Sequence, residues 1–275
     1  NKNNPMKIDY IKTKEKISKW IKRLPDMIEK ESRFIQKERP DVIVSDISVM
    51  PLLLARKNHV SSVALSNFVW SDTLDLDARQ KEFFEDAYRS ADLAIKLPFG
   101  SEMKLPNVKE YGLVARNVTK TRNSIRKKLE ITKDKKLVTI SLGGFKEKIP
   151  VKASDSVKIL DMSDYSTVMK LKKLVNFVEG QNLINASDLV IAKCGYGITS
   201  ECLPNEIPFR YVYEPTHREA FGINKGLAKL KMNNTLSLEE LLNVTIDDNF
   251  IKNTKSMKMK TSNQKVAQAI MTIAG

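Results

Sequence analysis

Two glycines, a threonine and a glutamate fall within one short stretch, Gly195, Gly197, Thr199 and Glu201, directly after the apolar run 189–192. A strand, a glycine turn and a small-residue helix start leave backbone N–H groups free for an anion, normally a phosphate. Glu201, read as lying within the first turn or so of that helix, can then bond a sugar hydroxyl beside the phosphate. A second apolar run, 208–213, leads into His217, Arg218, Glu219 and Asn224. These sit at a strand's carboxyl end and the following helix, where open α/β sheets take their ligands. Gly143 and Gly144 follow another strand, 136–141, and let the backbone approach a diphosphate. Asp46, Asn67 and Asp72 follow strands of the first half, so they point toward a cleft between two halves. Asp46 or Asp72 could act there as a general base on an acceptor hydroxyl. Each group also has a plainer structural reading. Tight turns account for the glycines, the helix dipole for Glu201, and turn or cap positions for the aspartates and His217.

Strand, glycine turn, helix and strand over 183–224 make one βαβ unit. Within it Ala186-Ser187-Asp188-Leu-Val-Ile191 is followed by Gly195, Thr199 and Glu201, and then by Glu219 and Asn224. This composite resembles the nucleotide-sugar site of GT-B glycosyltransferases. Lys193 to Glu201 also resembles the K-x-G-Y-G-x-x-S-E run in the glycosyltransferase-like half of L-arabinokinases. A broader similarity is to the family that adds N-acetylglucosamine to a lipid-linked murein precursor. The resemblance spans about 35–228. It implies two Rossmann-like domains and transfer of a sugar from a nucleotide-diphosphate donor, such as a UDP-sugar, to an acceptor hydroxyl. It also implies that no metal and no cofactor beyond the donor is needed. Glu219 and Asn224 would face the donor sugar, and Arg218 or His217 would support the leaving diphosphate. The acceptor is undetermined; a lipid-linked one is an option.

Two departures from the pattern matter. Family members begin with a strand and a Gly/His-rich loop, and nothing before Ile11 resembles them. The first sheet is therefore expected to lack its initial strand and loop, with its edge covered by a preceding segment, another chain or an early strand. Weak or absent transfer by these 275 residues, with nucleotide binding retained, follows from the same gap. After Gly144, the stretch 145–156 carries Pro150 and reads as an irregular loop where the pattern has a helix. A non-catalytic nucleotide-sugar binder and a nucleotide-sugar epimerase are the alternative readings.

The elements that must position these residues alternate strictly. Helical spacing covers 11–38, interrupted by Pro25. Strands at 41–45, 62–66 and 92–96 alternate with helices at 51–57 and 76–89. The strand-poor region 98–117 is read as the link, and a short helix at 124–129 introduces the second half. Further strands are expected at 136–141, 157–160, 174–178, 188–192 and 208–213, and helices at 237–244, 248–256 and 262–273. Alternation of this kind predicts parallel sheets with helices on both faces. The division falls at 1–112 for an acceptor-side domain and 113–275 for the nucleotide-sugar domain.

Composition sets outer limits. Lysine and arginine number 47 against 33 acidic residues, a net charge of +14 that suits nucleic acid, an anionic membrane face or phosphate-bearing substrates. The lysines are scattered and not interleaved with aromatics, so no nucleic-acid partner is expected. The helix around Trp20, with Lys12, Lys14, Lys16, Lys19 and Lys22, offers a peripheral membrane contact. A core role for its apolar stripe is the preferred reading. Cys194 and Cys202 have neither disulfide-framework nor zinc spacing, and a reducing cytoplasm fits. No apolar run reaches transmembrane length.

Overall fold

In the computed structural model the described residues are 9–143, 149–162, 167–169, 171 and 180–275. Helix α1 spans Tyr10–Glu38 as one piece that runs through Pro25. Asp9 starts it by accepting from the Lys12 amide, and Arg39 ends it in the left-handed region at φ 48°. Its stripe is a core face: the Trp20 ring stacks on Phe84 at 6.2 Å and meets Phe83 edge-on at 6.4 Å.

The first sheet follows directly. Strands β1 (Val42–Asp46), β2 (Ser61–Ser66), β3 (Leu93–Lys96) and β4 (Val108–Glu110) lie parallel in the order β1-β2-β3-β4. Helices α2 (Met50–Asn58), α3 (Trp70–Thr73) and α4 (Ala78–Arg89) connect them. Strand β4 falls within 98–117, the region read as strand-poor, and was not marked individually in the sequence. Its three residues pair with β3 from Ala94↔Val108 to Lys96↔Glu110, too few to show a periodicity. Strand β1 bonds only to β2 among the described residues, and Val44 on it is 45% exposed.

Helix α5 (Arg122–Lys128) leads to the second sheet, whose order is β10-β9-β8-β5-β7. Its strands are β5 (Lys136–Ser141), β7 (Val157–Asp161), β8 (Leu189–Lys193), β9 (Phe209–Val212) and β10 (Thr235–Leu236), all parallel. Leu137, Val138, Ile140, Leu189, Val190 and Ile191 are fully buried, the near-continuous apolar run of a sheet covered on both faces. Between and beyond the strands lie α6 (Gly180–Ala186), α7 (Tyr196–Cys202), α8 (Arg218–Lys229), α9 (Leu238–Asn243) and α10 (Asp248–Lys252). Two short strands, β6 (Lys152–Ala153) and β11 (Thr245–Ile246), pair with each other. The strand expected at 174–178 and Gly144 lie outside the described residues.

After Thr261 the chain returns to the first body. Leu113 bridges to Thr261, and Ser262 donates its amide to the Leu113 carbonyl at 2.6 Å. Helix α11 (Asn263–Ala274) then lays Val266, Ala269, Ile270 and Ile273 against Val63, Leu93 and Ile95. Full burial of an aliphatic side chain such as Val266 stabilises by about 1.5–3 kcal/mol, and the partly buried Ile270 and Ile273 add less, so α11 helps to hold the first sheet. Among the described residues no helix is long and apolar enough to cross a membrane.

Candidate functional site

The two sheets differ in one property that locates the site. In the second, β5 is interior: the chain leaves it toward β7 on one side and comes back through β8, β9 and β10 on the other. Such a reversal opens a crevice beyond the strands' carboxyl ends. Register places the crevice between two particular loops, because Ser141 pairs with Ala192. Gly143 and Gly195 therefore follow neighbouring strand ends. Gly143 adopts φ +52°, a conformation that favours glycine, and an added Cβ there or at Gly197 would meet nothing within 4 Å.

Helix α7 begins at Tyr196 with Gly195 as its N-cap, so Glu201 lies in the second turn, where the sequence reading gave the first turn or so. The residue is 6% exposed, and its carboxylate accepts from Arg116 Nε at 2.6 Å. Arg116 comes from the interdomain link, so the pair ties α7 to that link. Thr199 is buried and its hydroxyl donates to the Gly195 carbonyl at 3.0 Å, which spends that donor inside the helix. Cys194 and Cys202 are free and buried. Burial pushes the Cys194 thiol up to about 12, so it stays protonated and unreactive.

The wall formed by β9 and α8 is tightly bonded. His217 caps α8 through Nδ1, which accepts from the Ala220 amide. Burial first, and then the Lys193 charge, hold its imidazole below the ordinary value. Burial raises the Glu219 carboxyl, against the opposing effects of the Tyr196 amide and the Lys193 charge. Asn224 Oδ1 accepts from the Tyr211 hydroxyl at 3.0 Å, which turns its carbonyl toward the sheet. Arg218 reaches across to the first body and donates to the Leu74 carbonyl at 3.1 Å. Lys193 is the residue that individual inspection of the sequence passed over. It ends β8, is half-buried, and its charge acts on His217, Glu219 and Cys194 together. A lysine ending a buried strand directly before a glycine turn was the available signal.

Across the gap stands the first body. Asp46 ends β1 and is followed by Ile47 at φ 60°, a costly conformation for a β-branched residue. The Ile47 carbonyl accepts from the Tyr88 hydroxyl, which helps to hold that turn. Asp46 is exposed, yet its partly desolvated setting raises its carboxyl. Its charge also contributes to Tyr196, whose phenol burial lifts to about 12. Asp46 shares a cavity of about 330 Å³ with Asn67, Arg116, Tyr196, Gly197 and Glu201. Asp72 lies elsewhere, on α3, in a second cavity of about 680 Å³ shared with Arg218 and Glu219. The two aspartates therefore face different spaces, with Leu97 lining both.

The bodies meet closely between these spaces. Helix α8 turns Gly222 and Gly226 toward the first body: a Cβ at Gly222 would stand 3.2 Å from the Gly100 carbonyl, and one at Gly226 would stand 2.5 Å from the Phe99 ring. Behind the loop, a Cβ at Gly100 would fall 1.2 Å from the Asn67 carbonyl.

Two half-sites facing each other from two α/β bodies define the class, and comparison with solved structures agrees: the chain has the GT-B fold. The glycosyltransferase SnogD from Streptomyces nogalater superposes with a TM-score of 0.56 at 13% identity, over 90% of this chain and 76% of that one. MurG from Acinetobacter baumannii superposes with a TM-score of 0.50 at 13% identity, over 91% and 78%. In sequence, the chain is similar to L-arabinokinase from Arabidopsis thaliana, 25% identical over 202 residues, or 68% of this chain. Those residues are 19% of the relative, so the chain spans about a fifth of its length. No protein-family model matches the chain.

Proposed function

We propose that the protein is a glycosyltransferase that moves a sugar from a nucleotide-diphosphate donor to an acceptor hydroxyl. The observation that carries this reading is the chain reversal at β5, beside which the Gly143 and Gly195 loops follow neighbouring strands, while Tyr196 and Gly197 share a cavity with Asp46. In this reading the diphosphate lies over those loops. Lys193 and the loop amides stabilise the charge that develops as the sugar–phosphate bond breaks, with no metal assigned a part. Glu201, steadied by Arg116, takes the ribose, and Glu219 takes the donor sugar. Asp46 is the base: desolvation makes its carboxylate a better proton acceptor, and the strained turn at Ile47 fixes its place. Asp72 is set apart in the other cavity, which favours Asp46 for this role. Thr199 receives no part, because its hydroxyl is already bonded.

A glutamate-to-glutamine change at 201 keeps an acceptor for Arg116 and removes the charge. Glu201→Gln is expected to weaken binding of UDP by about 1.5–3 kcal/mol, the range of a hydrogen bond to a charged group. Equal affinities in calorimetry, with the variant folded, would refute the ribose role. Asp46→Asn should abolish transfer and leave UDP binding unchanged. One observation favours a second reading, a nucleotide-sugar binder without transfer: β1, which carries Asp46, is hydrogen-bonded on one side only among the described residues. Radiolabelled donor separates the two, since a binder retains it intact whatever acceptor is offered.

A further inference from the structure

The cavity of about 680 Å³ between the loop that follows β3, the end of β4 and α8 has a size common for ligand sites. Its lining is unusual. Such sites are mostly apolar with a few polar groups, whereas this one carries four cationic and four anionic side chains. Lys96, Arg218, Lys225 and Lys229 provide one sign; Asp72, Glu102, Glu110 and Glu219 provide the other. Lys96 lies 2.8 Å from Glu110 within the wall, and Glu102 is matched by Lys104, outside the lining, at 2.9 Å. The cations of α8 are spaced along one helix face, with Gly222 and Gly226 between them. Phe99 and Phe221 add aromatic surface, and Phe221 is 54% exposed. One wall atom also lacks a bond. Ser101 Oγ is buried and has no hydrogen-bond partner among the described residues.

We propose that this cavity binds an uncharged polyhydroxylated ligand, a carbohydrate or carbohydrate-like headgroup. The reasons are physical. A polyanion drawn to Lys225 and Lys229 would also meet Asp72, Glu102 and Glu110. A flat apolar ring would strip water from charged groups and return no bonds, a cost of several kcal/mol per uncompensated ion. A hydroxyl both donates and accepts, so a run of hydroxyls can bridge lysine and carboxylate in turn. Another hydroxyl can satisfy Ser101 Oγ. The apolar C–H face of a sugar ring suits Phe99 or Phe221. Glu219, assigned above to the donor sugar, also lines this cavity. Asp46 faces a different space, so the polyol is assigned no part in the transfer step, and its chemistry does not rest on the transferase reading.

The test uses the full chain and saturation-transfer NMR. Glucose, arabinose, maltose and lactose serve as neutral polyols, 4-nitrophenol as the flat apolar probe and tripolyphosphate as the polyanion. At least one neutral sugar should show saturation transfer. The Lys225→Ala/Lys229→Ala double variant, altered at two exposed positions, should weaken it at least fivefold. Ser101→Ala should weaken it about twofold or more. UDP affinity, followed in parallel by calorimetry, should be the same in wild type and both variants. Absence of binding by all four sugars would overturn the proposal. So would 4-nitrophenol or tripolyphosphate binding that the double variant removes while sugar binding is untouched. Loss of UDP binding in the wild type would count against the nucleotide-sugar reading alone.

Discussion

The two sheets of this protein are built from the same unit and end up different. In the second, β5 is interior and has a strand on either side, β7 and β8. In the first, each strand is added beyond the last, from β1 to β4, and no reversal occurs among the described strands. A sheet wound in one direction aligns its carboxyl-end loops in a row. A sheet wound in two directions parts them at the reversal. The second sheet thus supplies a crevice, and the first supplies a wall that faces it, with Asp46, Asn67 and the loop that follows β3. The contrast explains why the glycine loops belong to one body and the proposed base to the other.

The largest expected effect is on the wall. Gly100→Ala puts a methyl group 1.2 Å from the Asn67 carbonyl, so backbone must move. We expect a loss of about 3 kcal/mol or more, the upper range of overpacking, seen in chemical denaturation. A loss under about 1 kcal/mol would show that the wall is softer than the crevice. On the crevice side, Arg116→Ala leaves the buried Glu201 carboxylate without its 2.6 Å donor. Stability should fall by about 2 kcal/mol, the scale for a bond to a charged group, and UDP affinity should fall with it. Unchanged stability would mean that solvent replaces the guanidinium at little cost.

Acid should act through the crevice as well. The imidazole of His217 is held below its ordinary value by burial and by Lys193. Its contribution to stability is therefore complete above the ordinary histidine range and is lost as pH falls through the lowered value. His217→Asn keeps a good N-cap and should flatten that acid limb, whereas His217→Ala should cost about 1 kcal/mol near neutrality by removing the cap. A wild-type stability profile without an acid limb in this range would exclude the linkage. The smallest effect on stability is at the edge of the wall. Val44→Lys, at an exposed site, should change stability by less than about 0.5 kcal/mol. It should nevertheless reduce any concentration-dependent self-association seen in light scattering, because a charge blunts an open strand edge.

Much of this was legible in the sequence, and the reasons are specific. Alternating apolar runs marked β1, β2, β3, β5, β8 and β9 because a doubly covered parallel strand needs nearly every residue apolar. The composite from Ala186 to Asn224 marked the crevice because glycine is needed where the backbone must stay uncovered. Other features had no local signature. The three residues of β4 are held by their neighbour β3 and not by propensity. The pairing of Arg116 with Glu201 links residues 85 apart in the chain, and no periodicity reports such a contact. Thr199 had the right spacing for a ligand contact, but the bond that occupies it is made to its own helix. The return of α11 to the first sheet was equally hidden, since an amphipathic stripe says that a face is buried and not against what.

The meeting of Gly222 and Gly226 with Phe99 and Gly100 carries a consequence for how this sequence can drift. At that contact, main chain lies against main chain, and any Cβ at Gly222 or Gly100 competes with a backbone oxygen. Related sequences that keep the same seating should therefore hold glycine at both positions while the charges at 218, 225 and 229 vary around them. A lineage could then alter which ligand the adjoining cavity prefers, one surface charge at a time, and leave the way its two halves meet untouched.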